Sequence, residues 1–198
     1  MRTLFHGLLA GLSTLCLSLA VQADAPRYNI PIECTKGPSD QRHKVLVSVP
    51  ATVTEGTAFK VRVDGVNSGK ISHTGLNYIF DMGYEWAVPK GAELVEGSLK
   101  IVPGTGTENV RKGARISHKA GVIHVLLPAR VESGGNYTQP SFEFELKATA
   151  AAGATISQVF RRYKVTANAF IVGDVKTTCD PRPKPYFLAG TKVQPASK

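Results

Sequence analysis

The chain has 198 residues, with 24 Lys and Arg against 15 Asp and Glu, a formal net charge of +9 and 42% hydrophobic residues. That length suits one domain with one sizeable core, and beyond the N-terminal region no stretch is long and apolar enough to span a bilayer as a helix. The positive excess favours anionic partners such as lipid, envelope polymer or acidic glycan, and no recognisable nucleic-acid module accompanies it, so specific nucleic-acid binding is not expected.

The opening "MRTLFHGLLAGLSTLCLSLAVQADAP" places Arg2 before an apolar run from about Leu8 to Val21. Val21 and Ala23 then stand where a signal peptidase reads, which predicts a secretory signal peptide over residues 1–23. Cys16 lies inside it and follows Leu15, unlike the small residues that precede a lipoprotein cysteine. The mature chain then starts near Asp24 with a net charge of about +8, secreted or associated with the cell envelope. Its two cysteines, Cys34 and Cys179, are 145 residues apart. In an oxidising compartment such a pair forms an intramolecular disulfide, and the absence of C-x-x-C spacing argues against a metal or redox pair.

Period-2 alternation follows in chain order. Strands are predicted near 27–34, 43–50, 57–65, 74–88, 93–102, 114–118, 121–128, 140–150 and 154–175, the last long enough for two. "KVLVSVP" carries Val45, Val47 and Val49 on one face, and "AFKVRVDG" sets Phe59, Val61 and Val63 against Lys60, Arg62 and Asp64. "SFEFELKA" turns Phe142, Phe144 and Leu146 inward. Gly- and Pro-rich breakers separate the runs, and "HKAG" joins two arms of a hairpin with Gly121 free to take a positive φ. About nine strands without intervening helices predict an all-β antiparallel sandwich over 24–180. After Cys179, "DPRPKPYFLAGTKVQPASK" has four prolines and no alternation, so 181–198 is expected to be an extended C-terminal tail.

The segment "PATVTEGTAFKVRVDG" resembles the early strands of immunoglobulin-like domains in bacterial surface proteins. The mature chain is also similar to secreted β-sandwich proteins of actinobacteria, which carry one cysteine early and one in a final "TTC-x-P" strand, here "VKTTCDP". The likeness covers about two-thirds of the chain in pattern. It implies an immunoglobulin-like sandwich and an extracellular place, and carries over no functional residues.

Two groups of residues stand out as candidate contacts. In "NYIFDMGYEWAVP" the even positions Tyr78, Phe80, Met82, Tyr84, Trp86 and Val88 share one face of a regular strand, either as core or as a stripe that stacks a lipid or glycan. Arg111, Lys112 and Arg115, with Arg161 and Arg162, can form a basic patch for an anionic partner if their loops meet at one end. Asp81 and Glu85 fall on one face about 13 Å apart, beyond glycosidase spacing, and read as solvated. His43, His73, His118 and His124 read as surface histidines, and no metal or cofactor is expected. No catalytic signature is visible. The expected role is therefore non-enzymatic: an extracellular binding or structural protein that meets an anionic polymer, lipid or protein through its basic loops. A lipid- or glycan-binding module built on Tyr78–Trp86 is the alternative, and a hydrolase with a dispersed site stands behind both.

Overall fold

Alternation becomes pleat along most of the chain. The computed structural model describes residues 25–37 and 41–196, so the predicted signal peptide lies outside the described residues. Fourteen strands occur among them. They are β1 (Arg27–Cys34), β2 (Gln41–Ser48), β3 (Thr52–Thr54), β4 (Ala58–Gly65), β5 (Leu76–Ala87), β6 (Ala92–Leu94) and β7 (Lys100–Ile101). After the four-residue helix α1 (Glu108–Arg111) come β8 (Arg115–Lys119), β9 (Val122–Leu127), β10 (Val131–Glu132), β11 (Phe142–Ala148), β12 (Thr155–Ala169), β13 (Gly173–Pro181) and β14 (Tyr186–Gln194).

The strands form one hydrogen-bonded path, β6-β11-β4-β2-β1-β13-β12-β5-β9-β8, with β7, β10, β14 and β3 paired alongside. Pairing is antiparallel except between β14 and β3. The path folds over on itself. Trp86 of β5 meets Phe142 of β11 edge-on, ring centroids 5.8 Å apart, although their strands are six places apart along the path. Two layers therefore face each other across a core, as in a β-sandwich. One inner face contributes Val45, Val47, Val61, Val63 and Phe144, the other Ile123, Val125, Phe160 and Leu127, all buried. Each such side chain contributes roughly 1.5–3 kcal/mol by leaving water.

The disulfide forms between Cys34 and Cys179. The two are register partners on the adjacent strands β1 and β13, with Cα atoms 3.9 Å apart. The bridge thus ties neighbours within one hydrogen-bonded layer and does not cross from sheet to sheet as in antibody domains.

Three expectations need correction. The strands number fourteen and not about nine, because the run expected at 93–102 is two short strands, β6 and β7, because the run expected at 154–175 divides between β12 and β13, and because β3 and β10 are very short and β14 carries little alternation. Residues 186–194, expected in the tail, form β14, which pairs with β12 and β3 and buries Leu188, Thr191 and Val193. The expected hairpin at "HKAG" does form, with the two-residue loop Ala120–Gly121, both at positive φ, so Ser117 lies opposite His124, and His118 and His124 take opposite faces.

The third correction concerns β5, which is not one regular strand. Asp81 adopts φ 48°, and between the pairs Lys164↔Gly83 and Thr166↔Phe80 β5 uses three steps where β12 uses two. This bulge exchanges the inward face. Met82, Tyr84 and Trp86 point inward after it, whereas Ile79 is the buried residue before it and Tyr78 and Phe80 are only half-buried.

Candidate ligand-binding cavity

The bulge at Asp81 marks where the sandwich interior stops being filled. Trp86 is 1% exposed and packs edge-on against both Phe142 and Phe160, so it belongs to the core. Tyr78 and Phe80 pack against each other with tilted rings on the outer face, and the Arg130 guanidinium lies 3.5 Å from the Tyr78 ring centre. Of the four aromatic residues Tyr78, Phe80, Tyr84 and Trp86, only Tyr84 faces the interior space beyond the core.

That space is a cavity of about 450 Å³ between the layers. Its enclosed end holds Tyr84, Tyr137, Tyr163 and His43. The Tyr84 and Tyr137 hydroxyls are 2.8 Å apart and hydrogen-bonded. Burial raises the Tyr84 and Tyr163 hydroxyls well above the usual tyrosine range, so both stay neutral. His43 projects from β2 across the gap and stacks on Phe160 and Tyr163, with centroids 4.9 and 5.9 Å away. Contrary to its expected surface place, its Nε2 is enclosed and has no hydrogen-bond partner among the described residues. Burial pushes the imidazole down to about 3, so it is neutral at physiological pH.

Gln139 is the second polar group without a partner. It is 4% exposed and lines the same cavity, and its Oε1 is unpaired among the described residues. The backbone there passes so close that a Cβ on Gly65 would lie 2.0 Å from the Gln139 carbonyl oxygen, so only glycine fits position 65. An unsatisfied buried amide or imidazole nitrogen costs about 1–3 kcal/mol, so two in one cavity mark it as a place where a partner is due.

The walls between this end and the mouth are apolar: Ile32, Ile71, Leu76, Ile79 and Val165. The mouth is rimmed by exposed residues, among them Lys36, Arg42, Lys44 and Lys70. None of these four makes an ion pair among the described residues.

The basic residues singled out in the sequence are placed elsewhere. Arg161 and Lys164 of β12, with His124 of β9, surround Glu85, which is 6% exposed and so not the solvated carboxylate expected. Arg162 donates to Asp180 at 2.8 Å, and that guanidinium, opposed by partial burial and helped by Lys184, holds the Asp180 carboxyl below the usual carboxylate range. Lys112 reaches Glu108 at 3.8 Å. Arg111 and Arg115 make no ion pair among the described residues, but Arg115 is on β8, three strands along the path from β12. Lys112, Arg161 and Arg162 thus have acidic partners, while Arg111 and Arg115 have none among the described residues. Sequence reading missed the cavity because its lining comes from five of the strands, β1, β2, β5, β12 and β13, and from loops far apart in the chain.

No protein-family model matches the sequence, and no curated protein matches it. Among solved structures, a Corynebacterium diphtheriae protein described as a "Putative membrane anchored protein" superposes with a TM-score of 0.50 at 17% identity, covering 87% of this chain. The two share a fold. The chain spans 38% of that protein's length. The full-length major pilin SpaD of Corynebacterium diphtheriae gives a TM-score of 0.38 at 14% identity over 67% of this chain and 32% of its own. The shared sandwich agrees with the resemblance to actinobacterial β-sandwich proteins seen in the sequence.

Proposed function

We propose that this chain is an extracellular, non-enzymatic binding domain of the cell envelope, and that its interior cavity holds a small amphipathic anion. The ligand has an apolar body for the Ile71–Ile79 walls, a hydroxyl or amide within that body, and an anionic head at the lysine rim. The observation that carries this reading is the pair of buried atoms without a partner among the described residues, His43 Nε2 and Gln139 Oε1, beside the apolar walls of one cavity. A ligand hydroxyl can donate to Gln139 Oε1 while accepting from His43 Nε2–H, the tautomer that carries its proton there. The four cations at the mouth, without ion-pair partners among the described residues, then select a negative head.

A binding role suits these groups better than catalysis. An imidazole held near 3 is a poor general base at neutral pH, and the chain's two mature cysteines are spent in the disulfide. The fold likeness to a protein described as membrane-anchored accords with an envelope setting.

Thermal shift and calorimetry with dodecanoate, ω-hydroxydodecanoate, dodecyl phosphate and dodecyltrimethylammonium test the reading. The anions should raise the melting temperature, the hydroxy acid should bind about five- to tenfold tighter than dodecanoate, and the cation should bind weakly. Ala167→Phe, which fills the cavity from its wall, should abolish the effect while leaving the far-ultraviolet spectrum unchanged. No stabilisation by any anion, or full binding by Ala167→Phe, refutes it.

A further inference from the structure

The β12–β13 hairpin runs past the mouth of the cavity and ends in Phe170, Ile171 and Val172. These three consecutive apolar residues are 82%, 91% and 68% exposed. A tip of this kind has no folded-state benefit, since each side chain stays in water. Its backbone is nevertheless held firmly. The Phe170 N–H donates to the Gly75 carbonyl at 2.8 Å, the Asn77 amide donates to Asn168, and the Asn168 amide donates to Asp174. Gly173 closes the turn at φ 70°, a conformation that favours glycine. The chain thus uses hydrogen bonds to present three apolar side chains on a rigid support.

The surroundings of the tip are cationic. A shallow hollow on the outer face joins Val172 to Lys176, Lys36, Phe80, Asp81 and Asp174. On the inner side Ala169 and Val175 carry the same hairpin into the cavity, whose mouth adds Lys70, Arg42 and Lys44. Five cations therefore stand against two carboxylates, Asp81 and Asp174, around the base of the tip. None of the five is ion-paired among the described residues, unlike Arg161, Arg162 and Lys112 elsewhere.

We propose that Phe170–Ile171–Val172 docks the protein on an anionic lipid bilayer, the three side chains entering the headgroup region while Lys36, Lys70 and Lys176 meet lipid phosphates. The shape favours a bilayer over a folded partner. The tip is convex and three residues wide, so it needs a surface that deforms around it, whereas a protein partner needs a matching pocket. Apolar insertion to a depth of about 5–10 Å combined with flanking lysines is how interfacial segments hold to anionic membranes. Docked this way, the cavity mouth faces the lipid, the direction from which an amphipathic anion arrives. The docking surface stands on exposure and charge and does not depend on what the cavity holds.

Flotation with phosphatidylglycerol-containing vesicles, with pure phosphatidylcholine as reference, tests this on the mature protein. The protein should float with the anionic vesicles and much less with the neutral ones. Replacing the tip as Phe170→Ser, Ile171→Ser and Val172→Ser together should weaken that binding at least about tenfold. Its melting temperature and its response to dodecanoate should not change, which separates failure of docking from failure of the cavity reading. Lys36→Gln, Lys70→Gln and Lys176→Gln together should also weaken binding and flatten its salt dependence. The proposal is overturned if the serine variant floats as well as the parent, or if neutral and anionic vesicles bind alike. It is equally overturned if sedimentation velocity shows the tip joining two copies of the chain without vesicle binding.

Discussion

Tyr84 of β5 and Tyr137 of the loop after β10 join hydroxyl to hydroxyl at 2.8 Å, and this bond closes the inner end of the cavity between the two layers. Both residues are buried, so each hydroxyl depends on the other. Tyr137→Phe is expected to cost about 1–2 kcal/mol in urea unfolding, because it leaves the Tyr84 hydroxyl without this partner. Adding Tyr84→Phe should cost less than the sum of the two single changes. Strict additivity would show that the bond contributes nothing.

His43 gives the fold a pH dependence of known sign. Its folded value near 3 lies below the unfolded imidazole near 6.5, so the unfolded chain binds the proton more readily. The stabilisation is complete above about pH 6.5 and is lost as pH falls toward 3, at roughly 1.4 kcal/mol per pH unit. Below about pH 4 the Asp180 carboxyl, held down by Arg162, adds to the loss. Urea unfolding between pH 7 and pH 4.5 should show this slope in the parent and not in His43→Phe. An equal slope in both would assign the effect to other groups.

The bulge at Asp81 shows where sequence reading succeeds and where it fails. β1 was legible to the residue, and β4 and β11 nearly so, because apolar and polar residues alternate in them without interruption; β9 was legible as an apolar, β-branched run bounded by Gly121 and Pro128. The alternation also continues through 78–86, where every even position is apolar or aromatic, so that face shows no sign of a break. The signal lay in Ile79, an apolar residue on the supposed polar face, two positions before Asp81, a residue type that tolerates left-handed backbone. The cavity was illegible for another reason: His43, Gln139 and Tyr84 come from distant segments and meet only through the folding of the sheet. The bulge itself predicts that Asp81→Gly is tolerated within about 1 kcal/mol, whereas Asp81→Val costs about 1–3 kcal/mol because a β-branched residue strongly resists φ 48°. Equal stability of the two variants would argue against the bulge.

β14 went unread because its inward positions, Leu188, Thr191 and Val193, are unevenly spaced and include a threonine. The spacing follows an irregularity in its pairing with β12 between Ser157 and Val159. Leu188→Ala is expected to cost about 2–3 kcal/mol in chemical denaturation, a core-sized effect. Ending the chain after Pro185 should lower soluble yield, since it strips the partner from the first half of β12 and from β3. If Leu188→Ala were neutral, the segment would be a tail after all.

The Cys34–Cys179 bridge links register partners on adjacent strands, yet the loop that it closes spans 145 residues. β1 is also held by hydrogen bonds to β2 and β13, so the native sheet does not need the bridge for alignment. Its effect should therefore fall mainly on the unfolded chain. Replacing both cysteines with alanine is expected to lower stability by up to about 5 kcal/mol, the chain-entropy limit for so long a loop. The urea m-value should rise at the same time, because an uncrosslinked chain exposes more surface when it unfolds. A lower midpoint with an unchanged m-value would instead place the effect in native packing around Cys179, which is 1% exposed.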